Sequence, residues 1–281
     1  MKTIVYQSYR RHNVPGWITS CMNIVEKWAS SKGFDYVFID DRMFEYVNDW
    51  YKQKVQQNIL PISDLARLEI AKELLGKGYE RTIWVDADLI LFDPDNFEIA
   101  VEDQFAFTKE IWVDKNKFGF IYFEQRVCNA VTVLTANNSF LEFYIYACKT
   151  IVAAPQHWIS RFGGSTKINA KLERFKAGLS KPSARLPSDI VGTEFLTRLN
   201  KAVSFPLLEN IGLFSPILMN EIASGRHRYI KKYMRLFGHP IYGANLCGSS
   251  AGIDFTEDVA NKVMDKLMST KGNVVNQYLA S

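Results

Sequence analysis

The stretch Thr82-Ile83-Trp84-Val85-Asp86-Ala87-Asp88 contains the pattern that decides the fold. Its first four residues are apolar or β-branched and predict a buried strand, and two carboxylates follow directly. Ligands of α/β proteins bind beyond the carboxyl ends of such strands. Because side chains two residues apart in an extended segment point to the same side, Asp86 and Asp88 can share one hard divalent cation.

Chance alone produces about 0.8 Asp-x-Asp pairs in a chain of this composition, so the pair needs its context. A second copy, Asp93-Pro94-Asp95, contains proline and predicts a turn. The pair after the strand is therefore the candidate metal site. The alternative is that Asp86 and Asp88 are two acids in a solvated turn.

The segments around this strand predict one α/β domain with a mixed central sheet flanked by helices. Predicted strands cover residues 3–7, 36–39, 82–85, 104–108, 119–123 and 130–134. Predicted helices cover 15–33, 63–76 with Ser63 as N-cap and a C-terminal Gly76, 139–152, 189–200 and 216–223, and a last one follows the N-cap Thr256. A partly helical excursion near an acceptor site is predicted for 153–188.

Composition and length set broad limits on the function. The 281 residues show no internal repeat or clear linker, which favours a single domain over 1–281, with a nucleotide-sugar half (1–135) and an acceptor half (136–281). The formal charge of +4 is too small to indicate nucleic-acid binding. Four widely spaced cysteines indicate a reducing compartment, and without an apolar leader or span the expected location is cytoplasmic.

The segment from Ser63 to Leu91 resembles the DXD-containing glycosyltransferases of the GT-A fold, nearest to their retaining branch of glycogenin-like and lipopolysaccharide sugar transferases. In that family, a helix that bears an acid and an arginine precedes the strand that ends in Asp-x-Asp. The resemblance implies transfer of a hexose from a UDP- or GDP-sugar to a saccharide or lipid-linked acceptor, with Mn²⁺ or Mg²⁺ as cofactor and retention of anomeric configuration.

The resemblance also implies roles for individual residues on the donor side. Asp88 would bind the metal, and Asp86 the metal, the nucleotide ribose, or both. The end of the first strand, Tyr6-Gln7-Ser8, would seat the nucleotide base. Asp64 and Arg67, one helical turn apart, would reach the donor sugar or its phosphates, unless they form only a local ion pair on an exposed helix face.

The resemblance implies further roles for residues of a later strand and of the second half of the chain. Asn129 would contact the donor sugar, with Val131 where the family usually has glycine, or it would bond only its own neighbours. Asp189 and Glu194 resemble the acidic segment that lines the acceptor side, although capping of a helix by Ser188 or Asp189 is the alternative. His239, between glycines, would complete the metal shell, or it is a structural loop histidine.

A basic amphipathic element covers residues 226–237, where Arg226, Arg228, Lys231, Lys232 and Arg235 alternate with apolar side chains. It predicts peripheral contact with an anionic membrane, steering of an anionic sugar nucleotide, or simply a solvated face.

Two other functions remain open from the sequence. An Asp-nucleophile phosphohydrolase also begins with a strand and Asp-x-Asp, but it requires Thr or Val where Ile90 stands, and an N-terminal motif. A non-catalytic protein that binds saccharides or nucleotide sugars would retain a degenerate donor pocket.

Overall fold

The computed structural model describes residues 1–99, 103–154, 189–248 and 256–279. Within these ranges the strands are β1 (Thr3–Ser8), β2 (Asp35–Ile39), β3 (Arg81–Val85), β4 (Leu89–Leu91), β5 (Phe105–Lys115), β6 (Ile121–Thr135), β7 (Leu207–Leu208), β8 (Ile211–Leu213) and β9 (Gly243–Asn245). The helices are α1 (Gly16–Ser31), α2 (Asp49–Lys54), α3 (Ile59–Gly76), α4 (Ser139–Ala153), α5 (Thr193–Ala202), α6 (Pro216–Ser224), α7 (Arg228–Phe237), α8 (Glu257–Ser269) and α9 (Asn273–Asn276), with a 3-10 helix at Asp41–Tyr46.

A mixed sheet of six described strands, in the order β2-β1-β3-β6-β5-β7, forms the centre of the molecule. β1 is parallel to both β2 and β3, whereas β6 is antiparallel to β3 and β5. The carboxyl ends of β1, β2 and β3 therefore lie along one edge. The predicted fold class, an α/β domain with a mixed central sheet, is confirmed.

Helices cover both faces of this sheet. Successive side chains of a strand point to opposite faces, and here apolar side chains on both faces are buried against helices. On one face Ile4, Tyr6 and Trp84 pack against α3 and α4. On the other face Val5 and Ile83 pack against α1. β3 is buried throughout because it has helices on both sides.

The distal part of the β5–β6 hairpin projects beyond this sheet and packs with the C-terminal helices. Ile111 and Val113 of β5 belong to a second core cluster with residues of α6, α7 and α8. A second, three-stranded sheet in the order β4-β9-β8 continues from the end of β3. This small sheet brings a C-terminal strand beside the Asp-x-Asp turn, because Leu89 pairs with Asn245.

Several predicted boundaries were wrong. α3 begins four residues before Ser63, with Asn58 as its N-cap accepting a hydrogen bond from the Leu60 amide. The Ser63 hydroxyl instead donates to the Ile59 carbonyl within the helix. Pro61 is tolerated there because first-turn amides have no intrahelical acceptor.

The predicted strands at 104–108, 119–123 and 130–134 are parts of two long strands, β5 and β6, joined by a short turn. The polar stretch 48–58, which lacks a clear hydrophobic period, contains α2. The helix predicted from residue 189 begins at Thr193. The N-cap Thr256 is confirmed, since its hydroxyl accepts from the Val259 amide.

Most of the predicted excursion at 153–188, including Ser188, lies outside the described residues. All four cysteines are buried free thiols. No helix in the described ranges is both long enough and apolar enough to cross a bilayer. The division into two halves and the cytoplasmic location stay predictions.

Candidate active site

Asp86 and Asp88 lie in the turn between β3 and β4 and face one common point. The Asp86 amide donates to the Ala130 carbonyl at 2.8 Å and so extends the hydrogen-bond ladder between β3 and β6. The turn is closed by a hydrogen bond from the Leu89 amide to the Asp86 carbonyl. The side-chain amide of Asn245 in β9 donates to Oδ2 of Asp86 at 3.2 Å and to Oδ1 of Asp88 at 3.0 Å. The expected convergence of the two carboxylates is present.

No described basic side chain forms an ion pair with Asp88. The Gly248 amide donates to its Oδ2 at 2.6 Å, and the Asn245 amide occupies one position on Oδ1. Burial, reinforced by the nearby charge of Asp86, raises the pKa of Asp88 to about 7. The carboxylate is oriented by neutral donors and retains lone pairs for a cation.

Asp86 is fixed by two side chains from the α3 side of the sheet. The Trp84 indole donates to its Oδ1 at 2.6 Å, and Nη1 of Arg67 lies 3.3 Å from the same oxygen. Burial raises the pKa of Asp86, and the charge of Arg67 opposes this shift. The side chain is 25% exposed, so one side of the carboxylate is open to a ligand.

Arg67 is buried, and its guanidinium group donates to other groups of the protein. Its Nη1 donates to the Asn129 carbonyl at 2.8 Å, and its Nη2 lies 3.4 Å from Oδ1 of Asp64. The guanidinium stacks over the Trp84 ring, 4.8 Å from its centroid. The side chain is only 9% exposed, which excludes an ion pair on an exposed helix face and makes Arg67 a positioning residue for Asp86 and Asn129.

Asp64 links α3 to the strand that carries Asn129. The Asn129 side-chain amide donates to its Oδ1 at 2.8 Å. Burial raises the pKa of Asp64 to about 6, although Arg67 and Asn129 favour its charged form. Gly192 packs so closely that a Cβ there would lie 2.6 Å from Oδ2 of Asp64, so the turn before α5 covers this carboxylate.

A three-residue bulge in β6 presents Asn129 to the site. Phe107 of β5 pairs with Thr132, yet the next residue, Thr108, pairs with Cys128. Residues 129–131 are therefore extra on the β6 side. The Thr108 hydroxyl closes the gap, since it accepts from the Val131 amide at 3.0 Å and donates to the Val131 carbonyl.

The two acceptor-side residues predicted from the sequence, Asp189 and Glu194, pair through their side chains with different arginines, although the Glu194 amide donates to the Asp189 carbonyl at 3.0 Å. Oδ2 of Asp189 lies 3.9 Å from Nη2 of Arg126, whose Nε lies 3.1 Å from buried Glu110. Glu194 pairs with Arg198 one turn along α5. The α5 N-cap is Gly192, and Asp189 contributes its backbone carbonyl to the turn, so capping by the Asp189 side chain is excluded.

Two residues at the end of β1 form hydrogen bonds with backbone carbonyls of the site. The Tyr6 hydroxyl donates to the Arg67 carbonyl at 2.8 Å, and the Gln7 amide donates to the Asp86 carbonyl at 3.2 Å. Both side chains are buried. The Ser8 hydroxyl lies 3.4 Å from the Asp40 carbonyl. Contact of this segment with a nucleotide base stays a prediction.

His239 is placed in a different cluster. Its Nε2 lies 3.0 Å from Oε2 of Glu209, whose other oxygen pairs with Lys109. The structure does not bring His239 to Asp86 or Asp88. Among the described residues, no group of three or more His, Cys, Asp or Glu side chains is arranged to hold a metal ion. A role of His239 in the metal shell stays a prediction.

The donor set at Asp86 and Asp88 nevertheless fits a small divalent cation. Mg²⁺ and similar ions are commonly bound by one or two carboxylates, with water and substrate phosphates in the remaining positions. Asp86 and Asp88 supply two such carboxylates, both partly exposed, and among the described basic side chains only Arg67 pairs with either of them, at Asp86. The two residues therefore suit a cation that arrives with a diphosphate.

Sequence reasoning missed three residues that orient this pair, namely Trp84, Asn245 and Gly248. Trp84 was visible only as an apolar strand residue, although its position two before Asp86 puts it on the same side of the strand. Asn245 and Gly248 are more than 150 residues from Asp88 in the chain. No local pattern indicates their contact.

No protein-family model matches the chain, and no curated protein has a significantly similar sequence. Among solved structures, the chain is similar to a glycosyltransferase involved in the glycosylation of the major capsid of PBCV-1, with 9% identity and a TM-score of 0.41 over 94% of this chain and 98% of that chain. It is also similar to the galactosyltransferase LgtC in complex with donor and acceptor sugar analogs, with 10% identity and a TM-score of 0.35 over 95% of each chain. At these scores the similarities do not establish a family for this chain.

Proposed function

We propose that this chain is a glycosyltransferase that moves a hexose from a UDP- or GDP-sugar to a saccharide or glycolipid acceptor. One observation carries the proposal. Five residues that the sequence resemblance assigns to the donor site, from α3, the β3–β4 turn and the β6 bulge, meet in one network of hydrogen bonds and ion pairs completed by Asn245: Asp64, Arg67, Asp86, Asp88 and Asn129. The network lies at the carboxyl edge of a mixed α/β sheet, where ligands of such folds bind.

Asp86 and Asp88 would hold Mn²⁺ or Mg²⁺. Such an ion, when bound, neutralises the charge that develops on a departing nucleoside diphosphate. The protein orients the two carboxylates in advance, because Trp84 and Arg67 fix Asp86 while Gly248 and Asn245 fix Asp88. Oriented groups need little reorganisation as charge develops, which is the main electrostatic contribution of an enzyme.

Residues close to the two metal-binding carboxylates are proposed to contact the donor sugar and the acceptor. Asn129, held by Asp64, is proposed to contact the donor sugar. Asp189, half-exposed beside Arg126, is proposed to orient the acceptor hydroxyl, and Glu194 lies one turn further on. Retention of anomeric configuration follows only from the sequence resemblance, and the NMR coupling constant of the product's anomeric proton tests it.

Release of nucleoside diphosphate from a panel of UDP- and GDP-sugars, measured with Mn²⁺ and with EDTA, tests the proposed function. We expect turnover that requires the metal and falls at least a hundredfold in Asp88→Asn, which keeps the shape of the side chain but removes its charge. The matched control is Asp95→Asn in the second Asp-x-Asp pair. Asp95 is exposed and pairs with Lys271, so its replacement should leave turnover unchanged.

The other outcomes decide between functions. Release of inorganic phosphate instead of nucleoside diphosphate would assign the site to a phosphohydrolase. Donor binding that depends on the metal, without turnover for any acceptor, would assign the chain to the sugar-binding class. Equal binding and turnover by wild type and Asp88→Asn would refute the metal site itself.

A further inference from the structure

The turn of the β5–β6 hairpin exposes two large aromatic side chains. Phe118 and Phe120 are 72% and 71% exposed. The turn is well defined, since Oδ1 of Asn116 accepts from the amides of both residues and Gly119 has a φ of 82°. Two neighbouring phenylalanines exposed to water on an ordered turn are unusual for an isolated soluble protein and indicate an interaction surface.

The same turn is basic. Lys115 and Lys117 directly precede the two exposed phenylalanines, and Nζ of Lys117 lies 4.9 Å from the centroid of the Phe118 ring. Cores of protein–protein interfaces are depleted in lysine. A mixture of lysine and phenylalanine is instead typical of segments that lie at the surface of an anionic membrane.

The exposed face of α7 extends this basic surface. Ile230, Tyr233, Met234 and Phe237 form the buried face of the helix, which leaves Arg228, Lys232 and Arg235 exposed as a stripe. Nζ of Lys232 lies 4.4 Å from the centroid of the Phe123 ring in β6. Phe123 is three residues from Phe120 along the chain, about 10 Å at about 3.3 Å per residue, so the stripe lies beside the part of the hairpin that leads into the turn.

We propose that the hairpin turn, residues 115–120, and the exposed stripe of α7 form one docking surface for a lipid bilayer with anionic headgroups. Phe118 and Phe120 insert between the headgroups, while the lysines and arginines contact lipid phosphates. Hydrophobic insertion and electrostatic attraction reinforce each other in this arrangement, since either signal alone gives weak and reversible attachment. The surface goes beyond the proposed function and does not depend on it.

The hairpin turn is also separate from the candidate active site. From Ile121 to Cys128, beside the Asn129 bulge, β6 runs seven residues, which is about 23 Å at about 3.3 Å per residue. Substitutions at the turn therefore leave the network around Asp86 and Asp88 unchanged. Membrane binding and turnover can be measured independently.

Cosedimentation of the protein with vesicles tests the proposal. Vesicles of phosphatidylcholine alone are compared with vesicles of equal parts phosphatidylcholine and phosphatidylglycerol, at low and high salt. We expect binding to the anionic vesicles that high salt weakens. The double variant Phe118→Ser/Phe120→Ser should bind at least tenfold more weakly, and Arg228→Gln/Lys232→Gln should bind with a smaller salt dependence, since Lys115, Lys117 and Arg235 remain.

Tyr146→Ser is the matched control. Tyr146 is an aromatic residue of α4 with 67% exposure, and its replacement should leave vesicle binding intact. Circular dichroism and the thermal midpoint verify that each variant is folded. Failure of wild type to bind anionic vesicles, or equal binding by the double variant, would overturn the proposal. A wild-type dimer in solution that Phe118→Ser/Phe120→Ser dissociates would assign the surface to a second copy of the chain and overturn it as well.

Discussion

Replacement of Asp64 by asparagine should change how the stability of the protein depends on pH. The Asp64 side chain is only 8% exposed, and burial raises its pKa from 3.8 to about 6. A shift of this size corresponds to about 3 kcal/mol, at about 1.36 kcal/mol per pKa unit. The folded state therefore binds a proton at Asp64 more tightly than the unfolded state does.

The sign follows from this difference in proton affinity. The favourable contribution of neutral Asp64 is fully present below about pH 4, and it is lost as the pH rises through about 6. Relative to Asp64→Asn, which cannot ionise, the wild type should lose about 3 kcal/mol of unfolding free energy between about pH 4 and about pH 7. Asp86 and Asp88 titrate in both proteins, so their direct contributions largely cancel in the comparison.

Urea unfolding followed by tryptophan fluorescence, with EDTA present, measures this difference at several pH values. Asp95→Asn is the matched control, and its difference from wild type should stay constant because Asp95 is exposed. A difference between wild type and Asp64→Asn that is constant with pH would refute the reasoning. A change in the opposite direction would show that the charge of Arg67, and not burial, determines the pKa of Asp64.

Two further predictions concern residues that sequence reasoning did not identify. Gly192→Ala should destabilise the fold by about 1 to 3 kcal/mol in urea unfolding, because its Cβ would lie 2.6 Å from Oδ2 of Asp64. Gly76→Ala, where a Cβ meets nothing within 4 Å, should be neutral or slightly stabilising, and an equal loss in both variants would contradict the steric cause. Asn245→Ala should raise the Mn²⁺ concentration for half-saturation about ten- to a hundredfold, as loss of a group that orients metal ligands does. Isothermal titration with Mn²⁺ measures this, and an unchanged affinity would show that Asn245 does not orient the pair.

The site could be predicted from the sequence where local patterns determine it. An apolar strand that ends in two carboxylates indicates the edge of the sheet, and helical spacing puts Asp64 and Arg67 on one face. The bulge at 129–131 was not predictable, since it arises from a register shift between two long strands that the sequence presents as separate short ones. The position of His239 depends on the path of the chain between α7 and β9, where no local pattern distinguishes Asp88 from Glu209 as its partner.

The contacts of Asp88 have a consequence for the order in which the molecule assembles. Its partners Asn245 and Gly248 follow it by 157 and 160 residues. Closing so long a loop is entropically costly and slow relative to the pairing of nearby segments. During synthesis the central sheet can form before β9 exists, but the Asp-x-Asp turn acquires its final orientation only when the C-terminal strand docks. The site can therefore become competent only after the chain has been made through Gly248.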